Sequence, residues 1–234
     1  RGKLPALRAP ASVQSAHLLS IDAATRRNLE LTRTLSGERD GSLLAVIDRS
    51  VTGAGARLLA ARLAAPATDP AIICDRLDLV QLFVEDNDRR AGLRDLLNQT
   101  PDIARALARL SLGRGGPRDL AAVRDGLAAA EKAQALLASE VAVTPLVALC
   151  APLHGHIGLV DALTAALGDD LPHLARDGGF IAKGYDDALD ELRTLRDESR
   201  RHTASLQARY AEETGINGLK IKHNNVLGYF IEVT

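Results

Sequence analysis

The chain has 234 residues, with 29 Lys and Arg against 30 Asp and Glu for a formal charge of -1, so no global basic field marks a nucleic-acid binder and any such contact has to be local. Hydrophobic residues make up 46% and charged residues 25%, a balance that excludes disorder and points to a helical globular protein. Its 2 cysteines, Cys74 and Cys150, lack the spacing of a zinc site or a disulfide framework, suit a reducing cytoplasm and read as small buried apolar residues.

The opening Arg1-Gly-Lys-Leu-Pro-Ala-Leu-Arg-Ala-Pro10 has no uninterrupted apolar core of the signal-peptide kind, and with 0 Met in the chain Arg1 is expected to be a processed end or an excision point. A first helix is expected from the N-cap Asp22 through Leu29, Glu30 and Leu31 until Ser36-Gly37 breaks it. Ser42 caps a short segment, Leu43 to Ile47, and after Thr52-Gly53 a helical run reaches Leu63 before Pro66. Asp69-Pro70 is an N-cap followed by Pro at the first helical position. The helix it starts carries Ile73, Leu77, Val80, Phe83 and Val84 on one broad apolar face.

Helices from about Arg90 to Asn98 and from Asp102 to Leu112 follow, then a break at Gly113-Arg-Gly-Gly-Pro117 and an Ala-rich helix to about Ala138. Shorter helices around Val143 to Leu149 and Gly158 to Leu167 complete the expected bundle. No unbroken run of about 18 apolar residues is evident, so a membrane-spanning helix is not expected. Between Asp186 and Glu213 neither Pro nor Gly occurs, and Leu189, Leu192, Leu195, Leu206 and Tyr210 form a narrow stripe among dense charges. Such a helix is about 40 Å long at about 1.5 Å per residue, and its polar middle predicts that it projects from the bundle. Gly215 is its natural stop.

From Leu219 the period changes from helix to strand. Leu219 and Ile221 alternate with Lys220 and Lys222, then Tyr229, Ile231 and Val233 alternate with Phe230, Glu232 and Thr234, around a turn marked by Asn224, Asn225 and Gly228. A lone hairpin is marginal in water, so the chain reads as cut from a larger protein. The fold class is mainly α: a multi-helix core bundle, a long projecting helix and a C-terminal β-hairpin.

Gly53-Ala-Gly55 lacks the preceding strand and third glycine of a dinucleotide loop and reads as a helix start. Gly113-Arg-Gly-Gly-Pro-Arg118 lacks the Gly-Lys-Ser/Thr end of a phosphate loop and reads as a linker. His154, His156, Asp161 and His173 do not have metal-ligand spacing and read as solvated or locally bonded; a third alternative, a helical hydrolase using His154, His156 and Asp161, would need bound metal or detectable turnover. No catalytic, cofactor-binding or metal residues are identified. Lys220, Lys222, His223, Asn224 and Asn225 concentrate cationic and amide donors on the strand pair, chemistry that suits phosphate oxygens or equally a solvated face. Arg193, Arg196, Arg200, Arg201 and Arg209 on the long helix are balanced by acids and read as a solvated face.

Ordered blocks along most of the chain from about Ser20 onward resemble the MutS family of bacterial mismatch-recognition ATPases. They are Asp22-Ala-Ala-Thr25 with Leu29-Glu30-Leu31; Thr52, Gly55, Arg57, Leu59, Leu63 and Pro66; Arg76, Val80 and Leu82; Asp102, Arg105, Arg109 and Pro117-Arg-Asp-Leu120. Arg176-Asp-Gly-Gly179 with Ile181, Gly184 and Leu189-Asp-Glu-Leu192 come next, and Leu219-Lys-Ile221, Asn224 and Gly228-Tyr-Phe-Ile-Glu-Val233 close the series. Gly53, Arg62, Ala104 and Lys222-His223 depart from the usual pattern, which bears on the detail of clamp contacts.

The resemblance implies that residues 1–16 end a connector segment, 17–214 form the core/lever helical domain and 215–234 begin a clamp domain. It also implies a mismatch repair protein that binds mismatched double-stranded DNA under ATP control, with this chain coupling an ATPase domain to the clamp. The implied partners are the DNA backbone, the connector, clamp and ATPase domains of the same protein, a second copy in a homodimer and downstream repair proteins, in the cytoplasm and without a membrane. ATP and Mg are implied for the parent and no cofactor for this chain, which is not expected to be an enzyme alone. The alternative reading is a helical protein-interaction scaffold unrelated to DNA.

Overall fold

Short polar side chains set the helix starts. In a computed structural model, which describes residues 17–138, 144–224 and 226–233, Asp22 accepts the Thr25 amide at 2.9 Å and opens α1 (Ala23–Asn28). Ser42 opens α2 (Leu43–Ile47), Thr52 opens α3 (Gly53–Ala64) and Asp69 opens α4 (Pro70–Glu85) in the same way. Asp86 caps α5 (Asn87–Asn98), Asp102 caps α6 (Ile103–Ser111), and Pro117 occupies the first position of α7 (Pro117–Leu137). Each cap satisfies an amide that the helix itself leaves unpaired. The expected connector segment 1–16 lies outside the described residues.

The first helix is shorter than its sequence suggests. It ends at Asn28, and Glu30 takes a φ of 48°, the left-handed region. Long-range pairing explains the difference: the amides of Leu43 and Leu44 donate to the carbonyls of Glu30 and Leu31 at 3.0 and 2.9 Å. Those bonds require a chain reversal that a continued helix forbids.

The chain divides into two compact units, one ending at Ile181 and one starting at Ala182. In the first, α7 is the hub, and α5, α6 and α9 (Ile157–Ala166) all pack against it. Ala121, Val123, Ala133 and Leu137 of α7 are buried together with Ala106 of α6 and Val160 of α9. Gly126 permits the close approach of α6, since a Cβ there would overlap Cγ1 and Cδ1 of Ile103. Two ion pairs tie helices of this unit: Arg57 of α3 to Asp102 at the start of α6, and Arg109 of α6 to Asp119 of α7, whose second oxygen accepts the Gly116 amide at 3.0 Å.

Two expectations, on α4 and on Cys74, are corrected here. Leu77, Val80 and Val84 are more than half exposed, because α4 packs chiefly on α5 and α8 (Thr144–Cys150) with its other sides. Cys74, on the same helix, is likewise exposed, while Cys150 is half-buried and burial pushes its thiol pKa up. The segment Thr144–Ala166, with a mean hydropathy of 1.5, is long and apolar enough by composition to cross a membrane, although its Pro and Gly residues hide this from a search for unbroken runs. Those residues also divide it: α8 passes into a 3-10 turn at Ala151–Leu153, and Gly155 with φ 89° separates that from α9.

The second unit consists of α10 (Asp187–Thr214) and a hairpin of β1 (Lys220–Asn224) and β2 (Gly228–Glu232). Asp186 caps α10 through the Leu189 amide at 2.9 Å, and Gly215 ends it at φ 68°. Without a break over 28 residues, it is about 42 Å long at about 1.5 Å per residue. The predicted period change at Leu219 is the observed passage from helix to sheet.

Candidate nucleic-acid interface

The antiparallel register pairs Lys220 with Glu232, Ile221 with Ile231, Lys222 with Phe230, His223 with Tyr229 and Asn224 with Gly228. Side chains alternate across a strand, so Lys220, Lys222 and Asn224 share one face with Phe230 and Glu232, and Ile221, His223, Tyr229 and Ile231 share the other. The two lysines are about 7 Å apart along the strand at this rise, and both are exposed. Lys222 pairs with the Glu232 carboxylate across the sheet. Lys220 makes no ion pair among the described residues. The face therefore carries two cations against one acid.

His223 stands apart from the lysines. It is edge-on to Tyr229, with ring centroids 4.9 Å apart and planes at 64°, on the opposite face of the hairpin. Asn224 shapes the turn, its Oδ1 accepting the amides of Val226 and Leu227 at 3.0 and 2.7 Å. Its amide nitrogen is left as the donor that could face a ligand. Asn225 lies outside the described residues. Gly228 closes the turn with φ 70°.

Sequence reasoning passed over two features of this unit. Val226 and Leu227 hold the hairpin tip 90% and 68% exposed, two aliphatic side chains standing in solvent beside the cationic face. Their signal was present, as two apolar residues between Asn225 and Gly228, but alternation in the flanking strands does not reach the turn. Between α10 and the sheet lies an apolar cleft of about 470 Å³, lined by His202, Leu206, Tyr210, Ile221, Tyr229 and Phe230 among others. Gln207 holds the helix to the sheet by accepting the Ile221 amide at 3.0 Å. Leu206 and Tyr210, the apolar pair in the second half of the charged helix, are thus used for docking its own hairpin.

Three of the five arginines of α10 are paired locally, Arg193 with Asp190 at 2.7 Å, Arg196 with Asp197 at 2.9 Å and Arg209 with Glu213 at 3.5 Å, while Arg200 and Arg201 make no ion pair among the described residues. The Arg196 guanidinium holds the Asp197 carboxyl below its ordinary pKa.

No cluster capable of holding a metal occurs among the described residues. His154 Nδ1 lies 2.7 Å from the Ala151 carbonyl, His156 Nε2 lies 3.1 Å from that of Pro152, and His173 Nε2 is 3.0 Å from Arg118. His154 and His156 are used locally and His173 by a residue 55 positions away, and the three are not brought to one centre. The Gly55 amide donates to Thr52 Oγ1 at 3.0 Å, which makes Gly53-Ala-Gly55 a helix start.

Residues 24–212 match the family described as MutS domain III. The chain is 58% identical over 236 residues to the DNA mismatch repair protein MutS of Rhodopseudomonas palustris strain BisB5, covering 100% of the chain and 26% of that protein. Its identity to the protein of the same name from Bradyrhizobium sp. strain ORS 278 is 55% over 238 residues, and to that from Ruegeria sp. strain TM1040 55% over 234 residues, in each case over 100% of the chain. These matches span 26% and 27% of the two relatives, so the chain is about a quarter of the length of the curated relatives it matches.

Proposed function

The chain belongs to the MutS family through its domain III, and from this premise we propose that it is the core and lever of a protein that binds mismatched double-stranded DNA under ATP control. The lever in this reading is α10, which joins a packed helical core in sequence to a hairpin that begins the DNA clamp. A coupling element needs two arrangements that both sites bias, and a long helix without Pro or Gly moves as one piece. The observation that carries the DNA contact is the Lys220, Lys222 and Asn224 face, cationic and amide-bearing on one side of the hairpin. Such groups grip backbone phosphates and position a protein on a duplex without reading its sequence.

ATP hydrolysis with Mg belongs, in this proposal, to another segment of the full-length protein. The residues present do not fit that site: the glycine-rich turn 113–117 leads into Arg118-Asp119, with neither the Lys nor the Ser/Thr of a phosphate loop. Homodimer formation, contacts with connector, clamp and ATPase domains and engagement of downstream repair proteins complete the proposal. Family membership does not favour an unrelated helical scaffold.

The test is the Lys220→Ala/Lys222→Ala double variant in the full-length protein, with binding to matched and mismatched duplex followed by fluorescence anisotropy across a salt series. Affinity should fall by similar factors for both duplexes, and the salt slope should drop by about 0.9 per lost phosphate contact. Wild-type affinity with a wild-type slope would assign the face to solvent.

A further inference from the structure

The first unit has a basic groove that the lever-and-clamp reading does not use. A concavity of about 430 Å³ is lined by Arg26, Arg27 and Arg33 with the hydroxyls of Thr32, Thr34 and Ser36. A second, of about 320 Å³, shares Thr32 and Arg33 with it and adds Arg39 and Arg57. Five arginines thus line two adjoining concavities, and neither lining contains an Asp or Glu.

The nearby acids are turned elsewhere. Asp22 caps α1, Glu30 accepts the Leu35 amide at 2.6 Å, and Asp48 and Asp102 pair with Arg39 and Arg57 from outside the linings. Arg26, Arg27 and Arg33 meet no carboxylate among the described residues. Arg26 and Arg33 are instead held by backbone carbonyls, those of Ile21 at 3.1 Å and Gly37 at 2.8 Å. The loop beneath them is closed by Thr34, whose amide donates to the Glu38 carbonyl at 2.8 Å and whose Oγ1 accepts the Glu38 amide at 3.1 Å. The left-handed Glu30 directs the chain into this loop. The left-handed turn and the Thr34 loop thus present three exposed guanidiniums, none of them neutralised by a carboxylate among the described residues, around one hollow.

We propose that this groove binds a phosphate group of a larger ligand over the Arg26, Arg27 and Arg33 concavity, with Arg39 and Arg57, each already paired to a carboxylate, at its rim. Guanidinium forks take phosphate oxygens two at a time as they do carboxylate oxygens, but a phosphate brings a third oxygen and a larger negative charge to share among three arginines. The phosphate comes either from a free polyphosphate or from a nucleic-acid backbone, and the two sources are separable.

Hydrogen exchange with mass-spectrometric readout on the full-length protein tests it, following peptides that cover 23–41 with inorganic pyrophosphate, a short blunt duplex, or sodium acetate at equal ionic strength. Pyrophosphate should slow exchange there and acetate should not. Protection by the duplex as well assigns the natural ligand to a nucleic-acid strand, and protection by pyrophosphate alone to a free polyphosphate. Arg27→Gln removes a guanidinium that has no partner among the described residues, so folding survives. It should raise the pyrophosphate midpoint by about fivefold, the factor for one hydrogen bond of about 1 kcal/mol. Unchanged exchange in wild type, equal protection by acetate, or an unaltered midpoint in Arg27→Gln overturns the site. The hairpin reading is untouched by any of these results, since its lysines are in neither the peptides nor the variant.

Discussion

Arg57 and Asp102, 45 residues apart, meet in a two-pronged ion pair with Nη1 to Oδ2 at 2.8 Å and Nη2 to Oδ1 at 2.9 Å. The same carboxylate caps α6 by accepting the Arg105 amide at 3.2 Å. One side chain therefore starts a helix and ties it to α3. The two roles separate by substitution. Asp102→Asn keeps an acceptor for the cap and loses the charge, whereas Asp102→Ala loses both, so thermal unfolding should rank wild type above Asn and Asn above Ala. Equal midpoints for the two variants would show that the cap contributes nothing.

Two helical glycines should respond to alanine with opposite signs. At Gly92 of α5 a Cβ would touch the Leu136 methyls at an ordinary 3.6 Å, so Gly92→Ala should stabilise by up to about 1 kcal/mol through helix propensity. At Gly126 a Cβ would drive into Ile103, and overpacking of about 1–3 kcal/mol should outweigh that gain. Denaturant midpoints at unchanged slope are the measurement, and a stabilised Gly126→Ala would contradict the α6–α7 packing.

Acid should loosen the α6–α7 contact through Asp119. The Arg109 guanidinium holds this carboxyl below its ordinary value against the opposing effect of burial, with the Gly116 amide assisting. A pKa depressed on folding contributes stability that is present above the unfolded value of about 3.9 and is lost as pH falls through the folded value. Wild-type stability should therefore decline below about pH 4, and Asp119→Asn, less stable at neutral pH, should show a shallower decline. Parallel pH profiles would remove Asp119 from the account.

Breaking the long helix tests the coupling role proposed for it. Arg200 is an exposed residue in the interior of α10, and Arg200→Pro should cost about 3 kcal/mol or more of local helix stability. In the full-length protein, nucleotide binding should persist while ATP-driven release from DNA is slowed or lost. Normal release kinetics in that variant would exclude α10 as the lever.

What could be read from the sequence was mostly local chemistry. Asp22, Ser42, Thr52, Asp69, Asp102 and Asp186 cap helices because each is a short acceptor placed before a helical pattern, and no distant residue is needed to identify them. Gly215 and the strand alternation after it are local in the same sense. Glu30 escaped because its left-handed turn is decided by partners on α2, and the exposed stripe of α4 because periodicity identifies an apolar face without saying what covers it. At the candidate interface, alternation grouped Lys220 with Lys222, while the pairing of Lys222 with Glu232 and of His223 with Tyr229 depends on strand register. The basic groove was invisible for a related reason: Arg26 and Arg57 come from separate helices that only the folded chain brings to adjoining hollows.

The turn at Asn224 determines where the hairpin's charge points. Side-chain direction inverts with every residue, so a one-residue slip of β1 against β2 would carry Lys220 and Lys222 to the side now occupied by Ile221 and His223. Asn224 opposes that slip by engaging two amides at once, and Gly228 by a backbone angle that most residues avoid. The polarity of this small sheet is thus stored in a turn that itself carries no charge.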